Sequence, residues 1–144
     1  MSLLRPLRPK DILVFMIDLL YDHVDQTVAD MIHIALHFVI PLLFSFAFYR
    51  SHWRNAAFIM IATMIVDADH VLADPIYDPN RCSISFHPLH TITAIVIYAT
   101  LFLLPLMVGR KGNGQDLQPT VRVLHLIGLG LLIHMALDWI DCMV

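Results

Sequence analysis

Four short patterns of histidine and aspartate could do chemistry in this chain: His33-x-x-x-His37, Asp67-x-Asp69-His70, His87-Pro-Leu-His90 and His134-x-x-x-Asp138-x-x-Asp141. Imidazole and carboxylate together suit Zn²⁺ and related divalent ions, and each ion needs three or four protein ligands if a position stays open to water. The candidate metal ligands are His33, His37, Asp67, His70, His87, His90, His134, Asp138 and Asp141. That set is enough for two ions, and we expect roughly one to three divalent ions, Zn²⁺ above all. Asp69 points away from Asp67 on a helix, which makes it either a partner that fixes a histidine tautomer or a general base, the one catalytic side chain expected here. With two ions, one generates a hydroxide near neutral pH and both hold an oxyanion, as in phosphoester and amide hydrolysis; the nucleophile is water.

The elements that must position these residues cross a membrane. Of the 144 residues 58% are hydrophobic, and a soluble protein of this size would have too little polar surface left to cover its exterior. Length alone bounds the chain to one domain. Four apolar windows fit the roughly 20 residues needed to cross a hydrocarbon core: about Asp30 to Tyr49, Asn55 to Ala73, Thr91 to Val108 and Thr120 to Ile140. The connections are short and polar, which predicts an all-α, four-transmembrane-helix antiparallel bundle over residues 30–144. Residues 1–29 form a tail and an amphipathic helix from Asp11 to Gln26, with Ile12, Phe15, Met16, Leu19, Leu20 and His23 at helical spacing, too short in its apolar core to span and expected in the interface. No cleavable signal pattern precedes it, so the first span is expected to act as the insertion signal.

In such a bundle the start of the first span, the end of the second, the start of the third and the end of the fourth lie at one level, and those are the places the four patterns occupy. His33 and His37 are one turn apart, Asp67 and His70 share a face, and His134, Asp138 and Asp141 form an i, i+4, i+7 stripe. Ionisable groups at membrane depth cost a few kcal/mol each, which argues against filler. Lys and Arg concentrate in the first and third loops, with Arg50, Arg54, Arg110 and Lys111, so those loops are expected to be cytoplasmic and the site extracytoplasmic. A net charge of −3 with no basic run leaves nothing to argue for a nucleic-acid partner.

Other polar residues have plainer readings. His125 is expected to be a hydrogen-bonded packing residue, and His23 and His52 interface or loop residues. Tyr49, Trp53 and Trp139 read as aromatic-belt anchors, and Asp74 and Asp78 as turn formers. Cys82 and Cys142 fall on the ligand side, either as two free thiols or, on an oxidising side, as a disulfide tying the second loop to the fourth helix.

The runs His33-Ile-Ala-Leu-His37-Phe-Val-Ile-Pro41, Asp67-Ala-Asp-His70, Asn80-Arg-Cys-Ser-Ile-Ser-Phe-His87-Pro-Leu-His90 and His134-Met-Ala-Leu-Asp138-Trp-Ile-Asp-Cys142 resemble a small bacterial membrane family, domain-of-unknown-function family 6122. That resemblance implies a multi-pass protein of the bacterial inner membrane and supplies no reaction. More distantly, the order Asp-x-Asp-His, histidine loop, His-x-x-x-Asp is similar to membrane-bound metal-dependent hydrolases, themselves linked to the zinc phospholipase C and P1 nuclease group. On that likeness His134 and Asp138 match a ligand pair. The chain departs from it in having His-Pro-Leu-His where those hydrolases have a His-Arg dipeptide and a Thr-His.

The function expected from these features is a membrane-embedded, metal-dependent hydrolase of a lipid or lipid-linked phosphoester. The membrane lipid and that substrate are the partners implied. A ceramidase-like amidase is the rival chemistry, and a metal transporter or sensor the rival class. A transporter wants ligands near the midplane and a path to both sides, whereas here only His52 and His125 lie toward the other end. Haem ligation by His33 or His37 with His134 has no use for four aspartates, and a polar network joining helices rarely draws on four separate patterns.

Overall fold

The computed structural model describes the backbone of residues 9–76, 78, 81–108 and 117–143, with side chains from residue 27 onward. Every regular element among the described residues is helical: α1 (Pro9–Phe48), α2 (Trp53–Ala62), α3 (Ile92–Val108) and α4 (Pro119–Asp141), with 3₁₀ segments at Arg50–His52, Thr63–Leu72 and Pro88–His90. Three stretches are long and apolar enough to cross a membrane, namely Thr27–Phe48, Arg50–Leu72 and Pro119–Asp141. The third expected span is α3, which is apolar but has 17 residues. At 1.5 Å per residue it reaches about 26 Å, short of a core of about 30 Å.

The start of the chain differs from expectation. The sequence suggests a separate interfacial helix at Asp11–Gln26 ahead of the first span, but α1 covers both without a break. No proline or glycine lies between Asp11 and Ile40, so the sequence holds nothing that would interrupt the hydrogen-bond ladder there. The chain divides into two compact units, residues 1–32 and 33–144. In the first, the described backbone is helical from Pro9, and the side chains expected to form its apolar face, Ile12 through His23, lie outside the described ones.

In the second unit α4 packs against both α2 and α3, and two glycines explain how. A Cβ at Gly128 would collide with the backbone of Leu101 and Phe102 on α3, and one at Gly130 would stand 2.8 Å from Met60 Cα and 2.8 Å from Thr63 Oγ1. Small residues that let helix backbones close in are how helices associate where lipid offers no hydrophobic drive. Around them Ala56, Met60, Leu126 and Ile133 form one buried cluster, and Val66, Ala94, Tyr98 and Met135 form a second.

The second span changes its winding where Thr63 Oγ1 donates 2.6 Å to Met60 O. From there to Leu72 the chain is 3₁₀ rather than α. A threonine hydroxyl bonded back to its own helix offers the backbone an alternative to the α ladder. The tighter helix brings residues three apart into eclipse, which bears directly on Asp67 and His70.

Candidate metal centre

The segment that carries His87 and His90 is irregular, so its placement needs anchors, and it has several. Tyr98 Oη donates 2.9 Å to Leu89 O, Leu89 N–H donates 2.7 Å to Asp69 Oδ2, and Ser85 N–H reaches His90 O at 3.0 Å. Ser85 takes a left-handed backbone, φ 69°, which turns the chain back toward α3. A disulfide joins Cys82 to Cys142, just past the end of α4. Of the two readings open for these cysteines, the bridge is the one found.

Among the described residues, three groups of side chains present atoms close enough to hold an ion. Each group's donor atoms lie within 4.8 Å of one another: Asp67, His90, His134 and Asp138; His33, His37 and Asp138; and Asp69, His70 and His87. Of the residues that the sequence points to, Asp141 alone falls in none of these groups: it is exposed, with Oδ1 3.5 Å from His33 Nδ1.

Four donors held about 2.0–2.1 Å from a zinc ion at tetrahedral angles are roughly 3.3–3.4 Å from one another. In the first group Asp138 Oδ2 lies 3.1 Å from His90 Nε2 and 3.4 Å from His134 Nε2. Asp67 Oδ1 lies 3.4 Å from His90 Nε2 and 2.9 Å from His134 Nε2. In the second group Asp138 Oδ1 lies 3.4 Å from His33 Nε2 and 3.3 Å from His37 Nε2. All but one of these spacings lie close to those of a ligand sphere; the exception is the 2.9 Å approach of His134 Nε2 to Asp67 Oδ1, where the ring nitrogen hydrogen-bonds the carboxylate. His90 Nε2, His37 Nε2 and Asp138 Oδ2 are buried with no hydrogen bond, although buried polar atoms are nearly always satisfied. Close approach without hydrogen bonding is what ligand atoms aimed at a common point give.

The far side of each ring fixes which nitrogen is free. His37 Nδ1 meets His33 O at 3.0 Å; a carbonyl only accepts, so Nδ1 holds the proton and Nε2 presents its lone pair. His90 Nδ1 lies 3.4 Å from Asp69 Oδ2, the carboxylate–histidine pairing common behind metal ligands. Asp69 is thus placed behind His90, and its other oxygen is 3.3 Å from His70 Nδ1. His134 departs from this pattern, because its buried Nδ1 has no hydrogen-bond partner. Burial pushes the His90 imidazole down, but the carboxylates of Asp138 and Asp67, 3.1 and 3.4 Å from Nε2, outweigh it and hold the ring up at about 10.

His70 stacks on His87 with ring centres 3.7 Å apart, and its Nε2 is 3.2 Å from Ser83 Oγ. Sequence reasoning misses both Ser83 and Tyr98; each acts from a distance along the chain that no helical spacing signals. His125 is the packing residue expected, buried between Tyr49 Oη at 2.7 Å and Phe102 O at 2.9 Å. Tyr49, expected as a membrane-belt anchor, is that histidine's hydrogen-bond partner. Trp139 is exposed.

A model of a family of unknown function, DUF6122, matches residues 27–108, more than half of the chain. No curated protein matches, and no solved structure does. The more distant likeness to membrane-bound hydrolases therefore has no relative behind it.

Proposed function

The chain belongs to DUF6122, a family whose name carries no reaction, and from its site we propose a membrane-embedded, metal-dependent hydrolase of a lipid or lipid-linked phosphoester. One observation carries the reading: the imidazoles and carboxylates of the two groups that share Asp138 crowd together near ligand spacing, and three of their buried atoms, His37 Nε2, His90 Nε2 and Asp138 Oδ2, have no hydrogen bond. A purely structural polar network would have paired those atoms. Divalent ions there, Zn²⁺ by the mixture of imidazole and carboxylate, would supply Lewis acidity and a water of lowered pKa.

The residues take distinct parts. His33, His37, His90 and His134 present ring nitrogens, and Asp67 and Asp138 present carboxylates. Asp69 holds His90 by its Nδ1, and Asp141 stands in the same relation to His33, so we assign both to positioning. Asp69, His70 and His87 form a third group able to take a further ion. The side chains of Asp67 and His33 are 40% and 25% exposed, which leaves the cluster a face toward a substrate while Asp138 and His90 stay buried. The reading includes an antiparallel four-span bundle with the site on the extracytoplasmic side, supported by the meeting of residues from α1, the second span, the His87–His90 loop and α4, and by the Lys and Arg distribution. Headgroup bonds of lipids lie at that depth, which favours them over free metabolites as substrate.

The test is a panel of phospholipids and phosphomonoesters in detergent, with ceramide-like amides as the rival class, on zinc-replete wild type and His134→Ala. Turnover of a phosphoester lost in His134→Ala supports the proposal. Turnover of amides alone moves the chemistry to an amidase. No turnover, together with altered ion accumulation in cells carrying His134→Ala, replaces it with transport or sensing. For sidedness, Gly112→Cys in a chain lacking Cys82 and Cys142 should resist an impermeant thiol reagent in intact cells, and labelling there would reverse the orientation.

A further inference from the structure

We infer that Asp138 bridges two divalent cations, one held with Asp67, His90 and His134 and the other with His33 and His37. The inference rests on the metal-binding part of the reading above and not on hydrolysis. Its ground is that the two oxygens of one buried carboxylate face two different sets of nitrogens. Asp138 Oδ2 lies 3.1 Å from His90 Nε2 and 3.4 Å from His134 Nε2, whereas Oδ1 lies 3.4 Å from His33 Nε2 and 3.3 Å from His37 Nε2. Four imidazoles around one carboxylate cannot share a single tetrahedral ion with Asp67 as well, because six donors exceed its ligand number. Divided between the two oxygens they make one set of four donors and one of three, and the second set retains an open position.

The alternative for such a cluster is that the imidazoles are cations paired with Asp138. Geometry speaks against it for His37. Its Nδ1 is turned to a backbone carbonyl at 3.0 Å, while its buried Nε2 makes no hydrogen bond although Asp138 is near. A protonated ring would place its second N–H on that carboxylate. The T-shaped contact of His37 with His134, ring centres 4.4 Å apart, likewise puts two imidazoles side by side, which two cations would resist. A carboxylate shared between adjacent ions lets both sit close without the repulsion of unscreened charges, the arrangement that two-metal sites use.

The experiment counts ions and asks whether they communicate. Full-length protein in detergent is depleted with chelator and repleted with Zn²⁺ for elemental analysis, and with Co²⁺ for low-temperature EPR. Wild type should hold at least two equivalents, and its Co²⁺ signal should be attenuated by magnetic coupling. His33→Ala, altered at a partly exposed position and so the safer variant for folding, should lose about one equivalent and recover an uncoupled Co²⁺ signal; His37→Ala should do the same. Asp138→Asn should weaken both ions at least tenfold in a chelator competition. A wild type with one equivalent, or with two whose EPR shows no coupling, overturns the bridge. So does a His33→Ala protein that keeps the full complement and its coupling. Phosphoester turnover with a single ion would sink the bridge and spare the hydrolase, whereas two coupled ions without turnover of any substrate would do the reverse.

Discussion

Replacing Asp69 by asparagine separates a positioning carboxylate from a general base. Asp69 Oδ2 accepts from Leu89 N–H at 2.7 Å and lies 3.4 Å from His90 Nδ1, both within a buried environment. The Asp69→Asn side chain would keep one carbonyl acceptor of similar shape but lose the charge. A hydrogen bond to a charged group contributes about 1.5–3 kcal/mol, roughly twice a neutral one, so the change should remove about 1–2 kcal/mol from the orientation and basicity of His90. At about 1.4 kcal/mol per decade, the ion held by His90 should bind about 5- to 30-fold more weakly, within the range seen when partners behind metal ligands are altered. The assay is competition with a chromophoric zinc chelator in detergent, with far-UV circular dichroism to confirm that the helices persist. Zinc affinity within twofold of wild type would refute the reasoning. If hydrolysis at saturating zinc nevertheless fell by about 10²-fold, Asp69 would be acting as a base.

Three further outcomes follow from the same structure. Non-reduced protein should show no free thiol by alkylation, and Cys82→Ser should lower the melting temperature and zinc affinity together, because the bridge ties the His87–His90 loop to the end of α4; unchanged affinity would detach the bridge from the site. Gly128→Val should destabilise by about 1–3 kcal/mol, read by thermal unfolding in detergent, since its side chain meets the α3 backbone rather than a movable side chain. Zinc affinity should rise with pH through the neutral range, because His90, held up at about 10 by Asp138 and Asp67, is protonated without the ion and must release that proton to bind it; a pH-independent affinity between about pH 6 and 8 would contradict this.

How much of this is legible in the sequence depends on which rule governs each residue. Ligand types and spacing follow local helical period, so His33 with His37, and His134 with Asp138, can be placed on single faces from sequence alone. The gathering of residues as distant as Asp67 and His134, 2.9 Å apart in the fold, is legible because hydrocarbon thickness fixes span length and hence the level at which each pattern sits. What is not legible depends on backbone detail. The switch to 3₁₀ begins at Thr63, whose hydroxyl bonds Met60 O, and within that segment Asp69 is buried behind His90 while Asp67 faces the cluster. The continuity of α1 escapes the sequence reading because the apolar core between Ile12 and His23 is too short to span, yet nothing between it and the first span breaks a helical backbone. The approach of α2 and α3 to α4 rests on Gly128 and Gly130, two residues apart on opposite sides of one helix, a signal present in the sequence but without a partner identifiable from it. The two-sided use of Asp138 cannot be read from its spacing, which accounts for His134 but not for His33 and His37.

The claim on which the rest depends is that this histidine–aspartate cluster is a metal centre. The most direct measurement is an anomalous-difference map from crystals of zinc-repleted protein, recorded on both sides of the zinc absorption edge. A peak should appear enclosed by Asp67, His90, His134 and Asp138, and a second beside His33 and His37 on the other oxygen of Asp138. A map with no zinc peak in the cluster, with the same imidazoles hydrogen-bonded to one another or to water, would contradict it.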